Sequence, residues 1–332
     1  MNAELPYSLV ISEFPLEANS SSWPNLLAAL SQPDRYVPSV YVYDDKGSAL
    51  FEERCEQPEY YLRRKELEVL DECLPVLAEI TGPVDLAELG CGTAVKITPI
   101  LQAYWNTHGG KGDYQRVNYF PIDVNRWALE QGSRRLLELH PYLAVRGFVG
   151  IYEVGLMALP RSGRPRVYLF LGSTISNLDE PDLNALLNCL HKTLRTEDFL
   201  LVGADLIKDA RIFERAYDDA QGIGRQMEMN TLLNVNRLFS GNFDLDAFDY
   251  QARYEPLLQR VDANLRSKRK QVVELKALNF TLRLEPGDSI RSGNMRKFTV
   301  EGLRRSFQAR GFNLLQHWTD ESAWYAVMLF KR

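Results

Sequence analysis

The stretch that decides the fold reads Asp85-Leu-Ala-Glu-Leu-Gly-Cys-Gly-Thr93. Its first half is typical of a short buried strand, and the strand runs directly into a glycine-rich turn. Glycine lets the backbone turn tightly and approach a ligand, and the helix predicted to follow presents free N–H groups at its start. The stretch therefore predicts a ligand-binding turn at the end of a strand.

The spacing of the glycines indicates which nucleotide the turn accepts. A dinucleotide fingerprint continues as GxGxxG, where the glycines accommodate a pyrophosphate. Here the turn reads Gly90-Cys-Gly-Thr-Ala-Val95, so the third glycine is missing. We expect a nucleoside without phosphates to fit better than a dinucleotide, which disfavours a nicotinamide-dependent oxidoreductase.

An acidic residue, Asp123, ends the next predicted strand. In related nucleotide-binding folds an acid at this position accepts hydrogen bonds from the ribose hydroxyls. Glu88, at the end of the first strand, either orders the loop or contacts the ligand. Lys96 is as readily a solvated helix residue as a ligand contact. A structural turn with an unrelated capping aspartate is the alternative to a nucleoside site.

Helical and strand patterns alternate between about residue 64 and residue 207, which is typical of a parallel sheet covered on both faces. Further on, segments such as Gln271-Val-Val-Glu-Leu-Lys-Ala-Leu alternate as in an antiparallel sheet. The predicted helices span 63–80, 96–105, 126–139, 208–238 and 299–310. The predicted strands span 84–89, 117–123, 167–172, 199–205, 312–316 and 324–330. We therefore predict an α/β fold with a Rossmann-like core of residues 64–207 and 297–332. An α+β lobe of residues 13–63 and 208–296 is expected to be inserted into it.

Composition limits the function classes. The chain has 332 residues, of which 45% are hydrophobic and 25% charged, as in a globular protein. A net charge of −5 argues against an extended nucleic-acid surface. The cysteines lack metal-ligand spacing, which predicts reduced thiols and no metal site. Neither a signal-peptide pattern nor an apolar run long enough for a membrane span is present, so a cytoplasmic location is expected.

Six separated stretches carry a resemblance to a known family. They are Tyr43-Asp-Asp-Lys-Gly-Ser-Ala-Leu-Phe-Glu-Glu53, Pro58-Glu-Tyr-Tyr61, Glu88-Leu-Gly-Cys-Gly-Thr93, Pro121-Ile-Asp123, Leu171-Gly-Ser-Thr-Ile-Ser-Asn177 and Arg215-Ala-Tyr-Asp-Asp219. Together, and in this order, they resemble the ergothioneine-pathway histidine Nα-methyltransferases, a family that includes relatives acting on tryptophan-type and indole amines. The resemblance runs from about Tyr41 to the C-terminus.

The resemblance implies S-adenosyl-L-methionine as the cofactor of a two-lobed enzyme. It maps cofactor contacts to Gly90, Lys96 and Asp123. At the stretch Gly150-Ile-Tyr152 the family has Gly-Asp-Phe, so this chain lacks a carboxylate expected near the adenine amine. The predicted cofactor-binding residues are Glu88, Gly90, Gly92, Lys96, Asp123, Gly150, Ile151 and Tyr152.

The resemblance also implies that the inserted lobe holds an amino acid over the sulfonium methyl group. It maps substrate contacts to Tyr43, Phe51, Tyr60, Gly172, Asn177 and Tyr217. Asn177 and Tyr217 would bind the substrate carboxylate. Because aromatic faces stabilise a methylated ammonium ion, Tyr43, Phe51 and Tyr60 are the candidate catalytic residues. Each has a structural alternative: core aromatics for Phe51 and Tyr60, a turn residue for Asn177 and a packed helix residue for Tyr217.

One departure from the family pattern bears on the substrate. Histidine-specific members have a Glu-x-Ser pair that grips the imidazole shortly before a Lys-Phe, but this chain has Gly293 and Met295 there. Ala263 corresponds to a methionine of their pocket. A site without that carboxylate no longer rewards imidazole N–H donors, and a glycine leaves room.

We therefore predict N-methylation of the α-amine of an amino acid, aromatic or indole-type rather than strictly histidine. The alternatives are trimethylation of L-histidine to hercynine and a non-catalytic protein that binds S-adenosylmethionine. The identity of the amine, the number of methyl groups transferred and the oligomeric state stay open.

Overall fold

The chain divides into two compact units in the computed structural model, which describes residues 9–14, 26–161 and 163–332. The first unit comprises Met1–Pro15, Leu62–Leu206 and Phe298–Arg332, and the second comprises Leu16–Tyr61 and Ile207–Lys297. The predicted lobe began at residue 13, whereas Glu13 lies in a strand of the first unit. Residues 15–25 of that predicted lobe lie outside the described residues. That the units act as cofactor and substrate domains stays a prediction.

The strands are numbered in chain order. They are β1 Val10–Glu13, β2 Asp85–Leu89, β3 Val117–Asp123, β4 Leu143–Val149, β5 Arg166–Phe170, β6 Phe199–Asp205, β7 Phe248–Glu255, β8 Arg260–Ser267, β9 Gln271–Leu275, β10 Phe280–Leu284, β11 Ser289–Arg296, β12 Asn313–Thr319 and β13 Tyr325–Lys331.

The helices are numbered in the same way. They are α1 Leu26–Ser31, α2 Asp45–Cys55, α3 Leu62–Thr81, α4 Ile97–His108, α5 Arg126–Leu139, α6 Tyr152–Ala158, α7 Glu180–Thr193, α8 Ala210–Tyr217, α9 Ile223–Phe239 and α10 Val300–Gln308.

The first unit is built on one sheet. Within the described residues its strand order is β1-β4-β3-β2-β5-β6-β13-β12, parallel from β1 to β6 and antiparallel at the β6–β13 and β13–β12 pairs. The parallel strands bring their carboxyl ends, and the turns that follow them, to one edge of the sheet. This is the predicted Rossmann-like α/β fold, and its switch in strand order between β2 and β5 is where such folds bind ligands.

Apolar residues of the central strands alternate between the two faces of this sheet. In β3, Tyr119 joins a core with α3 and α4, whereas Phe120 and Ile122 join a second core with α6, α7 and α10. Because neighbouring side chains on a strand point to opposite faces, a continuous apolar run indicates a sheet that is covered on both sides. The continuous runs in the sequence have this cause.

The second unit combines helices with two small antiparallel sheets, β11-β8-β7 and β10-β9. The helix predicted over 208–238 is interrupted between α8 and α9. Gly222 has a φ of +72°, a left-handed conformation that glycine adopts readily. The Asp219 carboxylate accepts hydrogen bonds from Ile223 N at 2.9 Å and Gly224 N at 2.7 Å, which starts the new helix. Asp219, the last residue of the Ala-Tyr-Asp-Asp stretch, thus lies between the two helices and binds the first N–H groups of α9.

Candidate cofactor and substrate sites

The glycine turn after β2 is held to the neighbouring strand β3. Gly90 and Gly92 have φ values of +75° and +52°, in the left-handed region. Gly90 N donates to Ile122 O at 2.8 Å, and Gly92 N donates to Asp123 Oδ2 at 2.8 Å. A Cβ at Gly92 would have no heavy atom within 4 Å, so the space beside this glycine is open. The turn therefore leaves room for a ligand against a fixed backbone.

Asp123, at the end of β3, is a rigidly held carboxylate. It is 8% exposed, and its Oδ1 accepts a hydrogen bond from Asn125 N at 2.9 Å. Burial raises the pKa of Asp123, while the N–H groups of Asn125 and Gly92 and the charge of Lys96 act in the opposite direction. A carboxylate oxygen accepts more than one hydrogen bond, so both oxygens retain capacity for ribose hydroxyls. The geometry fits a nucleoside.

Glu88 is buried at the end of β2 and accepts a hydrogen bond from the Tyr119 hydroxyl. Burial raises its pKa to about 7, and the charge of Lys96 and the Tyr119 hydrogen bond limit that rise. Tyr119 was not predicted from the sequence, because a tyrosine in an apolar strand gives no sign that its hydroxyl has a partner. Glu88 is thus a buried carboxyl group, close in sequence to the turn, whose pKa lies near neutral pH.

Lys96 precedes α4, and its side chain is only 15% exposed, so the solvated alternative is wrong. Its Nζ lies 4.0 Å from Oε2 of Glu66, a residue of α3 that is 1% exposed. Glu66 Oε1 accepts hydrogen bonds from Gly172 N at 2.6 Å and from the Tyr325 hydroxyl at 2.7 Å. Lys96 Nζ lies where a Cβ of Gly172 would be, and the φ of +76° at Gly172 favours glycine. Glu66 was missed because its helix position looks like any other polar one.

The predicted residues Gly150, Ile151 and Tyr152 follow β4 at the same sheet edge. Gly150 N donates to Asp123 O at 2.9 Å, and Ile151 directly precedes the helix that begins with Tyr152. The Tyr152 hydroxyl lies 3.2 Å from where a Cβ of Gly90 would be. The stretch lacks a carboxylate, but it brings a phenol to the glycine turn.

The predicted substrate contacts of the first unit share one short turn. Gly172 has a φ of +76° and lies two residues after the end of β5, and Asn177 ends the 3₁₀ turn Thr174–Asn177. The Ser173 and Ser176 hydroxyls, 2.5 Å apart, brace this turn from inside. Gly172 and Asn177 therefore occupy a rigid turn at the sheet edge, and their contact with a substrate stays a prediction.

In the second unit, four predicted aromatic residues form one cluster. The ring centroids of Tyr43 and Phe51 are 5.8 Å apart, those of Phe51 and Tyr60 are 6.3 Å apart, and those of Tyr60 and Tyr217 are 6.1 Å apart. Each pair is nearly perpendicular, the arrangement that places a ring edge on a ring face. Sequence positions far apart thus meet in a single aromatic cluster.

A buried arginine that the sequence did not single out lies in this cluster. Arg54 is 3% exposed, and its guanidinium carbon lies 4.8 Å from the Tyr60 ring centroid and 4.6 Å from that of Tyr217. Its Nη2 also faces the carbonyls of Ala216 and Tyr217, at 3.5 and 3.4 Å. The chain's own cation therefore contacts Tyr60, one of the rings predicted to contact the substrate cation.

Lys297 was quoted in the Lys-Phe stretch but received no role from the sequence. It is 2% exposed, its Nζ donates to the Tyr217 hydroxyl at 2.8 Å, and it lies 4.6 Å from the centroid of that ring. A phenol that accepts from an ammonium group directs its own proton elsewhere. This orientation suits a Tyr217 that donates to an anionic group.

Local sequence explains how the cluster is positioned. Asp44 caps α2 by accepting a hydrogen bond from Gly47 N at 2.8 Å, and a Cβ at Gly47 would collide with the Val42 carbonyl. Asn230 of α9 donates to the same carboxylate at 2.8 Å. The Tyr-Asp-Asp-x-Gly stretch therefore fixes the start of the helix that carries Phe51.

The predicted Gly293 and Met295 lie on β11, where Gly293 pairs with Ala263 of β8. A Cβ at Gly293 would lie 3.0 Å from Met295 Sδ, 3.1 Å from Ala263 Cβ and 3.3 Å from Glu228 Oε1. The expectation that this place lacks a buried carboxylate is wrong. β11 supplies none, but Glu228 of α9, which is 3% exposed, supplies one.

Comparison with known proteins agrees with this geometry. A family model described as SAM-dependent, histidine-specific methyltransferase matches residues 23–332. A histidine N-alpha-methyltransferase of Mycobacterium tuberculosis is 32% identical over 305 residues, which are 92% of this chain and 93% of the relative. The chain belongs to the histidine-specific, SAM-dependent methyltransferase family.

Other similar proteins carry different names. An L-tryptophan methyltransferase of Psilocybe serbica is 25% identical over 328 residues, 91% of this chain and 90% of the relative. The structure of a putative methyltransferase from Thermobifida fusca is 14% identical and covers 94% of this chain and 99% of its own, with a TM-score of 0.48.

The protein is an S-adenosylmethionine-dependent N-methyltransferase with a Rossmann-like core. Membership of the family argues against the oxidoreductase and the non-catalytic alternatives. None of the described helices is both long and apolar enough to cross a membrane.

Proposed function

We propose that this methyltransferase methylates the α-amine of an amino acid with an aromatic or indole-type side chain. S-adenosyl-L-methionine supplies the electrophilic methyl group. The observation that carries the proposal is the cluster of Tyr43, Phe51, Tyr60 and Tyr217, whose edge-to-face rings are suited to an aromatic ligand and to a methylated ammonium ion.

Cofactor binding is assigned to the turn and the strand ends of the first unit. Asp123 is proposed to accept hydrogen bonds from ribose hydroxyls, since its carboxylate is held by two backbone N–H groups and its remaining lone pairs accept. Gly90 and Gly92 give the backbone its close approach. Lys96 and Tyr152 border the turn, while Glu88 supports it from beneath.

Binding of the substrate carboxylate is assigned to Tyr217 and Asn177. Lys297 donates to the Tyr217 hydroxyl, so the phenol proton is directed to an acceptor such as a carboxylate. Lys297 is therefore a positioning residue that acts through Tyr217. For Asn177 the support is its place at the end of a braced turn.

The amine must be neutral to attack the methyl group, and the enzyme's main task is to align it. Burial in an aromatic cluster disfavours an ammonium ion and so promotes loss of the proton. Burial and the neighbouring Tyr217 raise the pKa of Tyr60 well above its usual value, so its hydroxyl stays protonated near neutral pH. Tyr60 is therefore a hydrogen-bond partner and not a phenolate base, and we propose that water carries the proton away.

A second candidate function is Nα-trimethylation of L-histidine. It is supported by the name of the Mycobacterium tuberculosis relative and by the carboxylate of Glu228, since an imidazole N–H is a good donor to a buried carboxylate. Both candidates share the cofactor, the carboxylate contacts and the cluster, and they differ only in the ring that is bound.

A mass-spectrometric screen tests the proposed function. The protein is incubated with S-adenosylmethionine and each of tryptophan, histidine, tyrosine and phenylalanine, and each product is scored for mass gains in steps of one methyl. We expect the largest turnover with an aromatic amino acid, and fragmentation should place the methyl on the α-amine. S-adenosylmethionine binding without mass gain on any amino acid would contradict the proposal.

A further inference from the structure

The carboxylate of Glu228 is in an unusual position for a structural group. It is 3% exposed on α9, and its Oε2 has no hydrogen-bond partner among the described residues. A buried carboxylate oxygen without a donor loses its hydration without replacement, which is unfavourable unless a ligand supplies the donor. The group therefore points to an absent partner.

Arg54 does not fill that position. Its charge attracts the carboxylate, but no ion pair within 4.0 Å joins Arg54 to Glu228 in the described part of the chain. The guanidinium instead faces the Met227 sulfur at 3.8 Å, the last two carbonyls of α8, and the rings of Tyr60 and Tyr217. Burial raises the pKa of Glu228, and the charge of Arg54 acts in the opposite direction without supplying a direct donor to Oε2.

Strand β11 brings a glycine close to the carboxylate, where a larger residue would be crowded. Gly293 is partly exposed, and the place where its side chain would start is 3.3 Å from Glu228 Oε1. The residues around that place are small or apolar, Ala263 at 3.1 Å and Met295 at 3.0 Å. Ser292 places a hydroxyl near the same carboxylate. The glycine beside Oε1 is thus itself bordered by an alanine and a methionine, and Oε2 is the carboxylate oxygen that has no hydrogen-bond partner among the described residues.

We propose that Glu228 binds an N–H donor on the side chain of the substrate, which restricts the substrate to amino acids whose ring carries an N–H group. This inference rests on the proposed function and deepens it. The indole of tryptophan and the imidazole of histidine satisfy the requirement, whereas phenylalanine, 1-methyltryptophan and the neutral form of ring-N-methylhistidine do not. The carboxylate that selects the substrate comes from helix α9 and not from strand β11.

The test compares substrates that differ only in the donor. Binding of tryptophan, 1-methyltryptophan, histidine and ring-N-methylhistidine is measured by calorimetry on the full chain saturated with S-adenosylhomocysteine, and kcat/KM is measured for the same compounds with S-adenosylmethionine. The comparison uses whichever of tryptophan and histidine binds more tightly. Its N-methyl form should have a Kd about 10–100-fold higher and a kcat/KM lower by a similar factor; this ratio is the N–H preference.

Two variants separate recognition from folding. Glu228→Gln keeps the size and one neutral acceptor, and it should lower the preference to about tenfold or less. Glu228→Met removes the acceptor and should bring the preference close to one, with unchanged affinity for S-adenosylhomocysteine. Glu274→Gln, an exposed glutamate on β9, is the matched control and should leave the preference unchanged.

The possible outcomes are distinct. Turnover with an N–H preference that survives in both Glu228 variants would overturn this inference and leave the proposed function standing. An N–H preference in binding that is lost in the variants, without turnover by the native chain, would support the inference and reject the proposed function. Failure of every amino acid to bind would overturn both.

Discussion

The two candidate sites are built in different ways. In the first unit the cofactor turn is fixed by backbone groups: Gly90 N and Gly92 N bind the neighbouring strand end, and Asp123 is held by main-chain donors. In the second unit the aromatic cluster is fixed by side chains, with rings set edge to face around the buried cation of Arg54. A backbone site requires glycines and an acid at set positions, whereas a side-chain site can be rebuilt from another element.

We expect the two sites to differ in how much residue change they tolerate. The cofactor is constant, and the turn that is proposed to hold it tolerates few residue types because positive φ angles and close approaches select glycine. In the inference above, the group proposed to recognise the substrate ring lies on α9, and β11 contributes a glycine close to it. The predictions below test how strongly each site depends on its fixed groups.

The largest effect is expected from Arg54→Met. Its cation lies on two rings and balances the charge of Glu228, so its removal leaves a buried carboxylate uncompensated. We expect the free energy of unfolding to fall by about 3–5 kcal/mol, measured by urea unfolding followed by circular dichroism. Arg253→Met, an exposed position on β7, should change it little.

The double variant Arg54→Met/Glu228→Gln sharpens this test. If the lost stability comes from an unbalanced carboxylate, removal of that charge should restore part of it. A double variant that is no more stable than Arg54→Met alone would show that the arginine acts only through its packing against the rings.

A second effect concerns Glu88, whose pKa is raised by burial from 4.5 to about 7. Between these values the folded chain binds a proton that the unfolded chain has released, so folding stability falls as the pH rises from about 4.5 to about 7. Glu88→Gln removes this contribution, which amounts to at most about 3 kcal/mol.

The measurement is the difference in unfolding free energy between Glu88→Gln and the native chain, in the absence of cofactor, at about pH 5 and about pH 8. The other buried acids contribute equally to both proteins, so the difference isolates Glu88. The unfolding free energy of Glu88→Gln should increase relative to that of the native chain as the pH rises. An equal difference at both values would show that Glu88 is ionised throughout this range.

The sequence predicts the first unit better than the second. Strands β3 and β6 and helix α5 have the predicted bounds because their patterns are regular and their ends carry glycine, asparagine or aspartate. Strand β1 was not predicted as a strand, and residue 13 was assigned to the other unit, since four residues of pairing with β4 leave no periodic pattern. Local patterns indicate elements, whereas short edge pairing depends on the rest of the fold.

The groups missed in the sites have a common physical cause. Glu66, Arg54, Lys297 and Glu228 are charged residues that the fold buries at 1–3% exposure, although charged residues are ordinarily exposed. Their partners lie far away in the chain, as with Glu66 and Tyr325, so no local spacing marks them. The Lys-Phe stretch was the one available signal for Lys297.

A third effect is expected at Asp123. Asp123→Ala removes the acceptor for Gly92 N and the proposed ribose contacts, so the Kd for S-adenosylhomocysteine should rise about 30–100-fold. Asp123→Asn keeps one side-chain oxygen and should cause a smaller rise in this Kd. Calorimetric titration measures both, with exposed Asp113→Ala as the control. Unchanged affinity in Asp123→Ala would reject the ribose assignment.

The smallest effect, and the most specific to the second unit, is expected from Lys297→Met. Because Lys297 is proposed to orient the Tyr217 hydroxyl, its loss should raise the KM for the amino acid about tenfold while kcat and the Kd for S-adenosylhomocysteine change little. Lys270→Met, at an exposed lysine of the same unit, is the matched control.

A double variant tests whether Lys297 acts through Tyr217. If it acts through Tyr217, the double variant Lys297→Met/Tyr217→Phe should raise KM no more than Tyr217→Phe alone, because the hydroxyl that the lysine orients is already gone. Additive increases would mean that Lys297 contacts the substrate independently. The aromatic cluster would then contain a second cationic contact, and the contrast with the backbone-built cofactor turn would rest on charge as well as on packing.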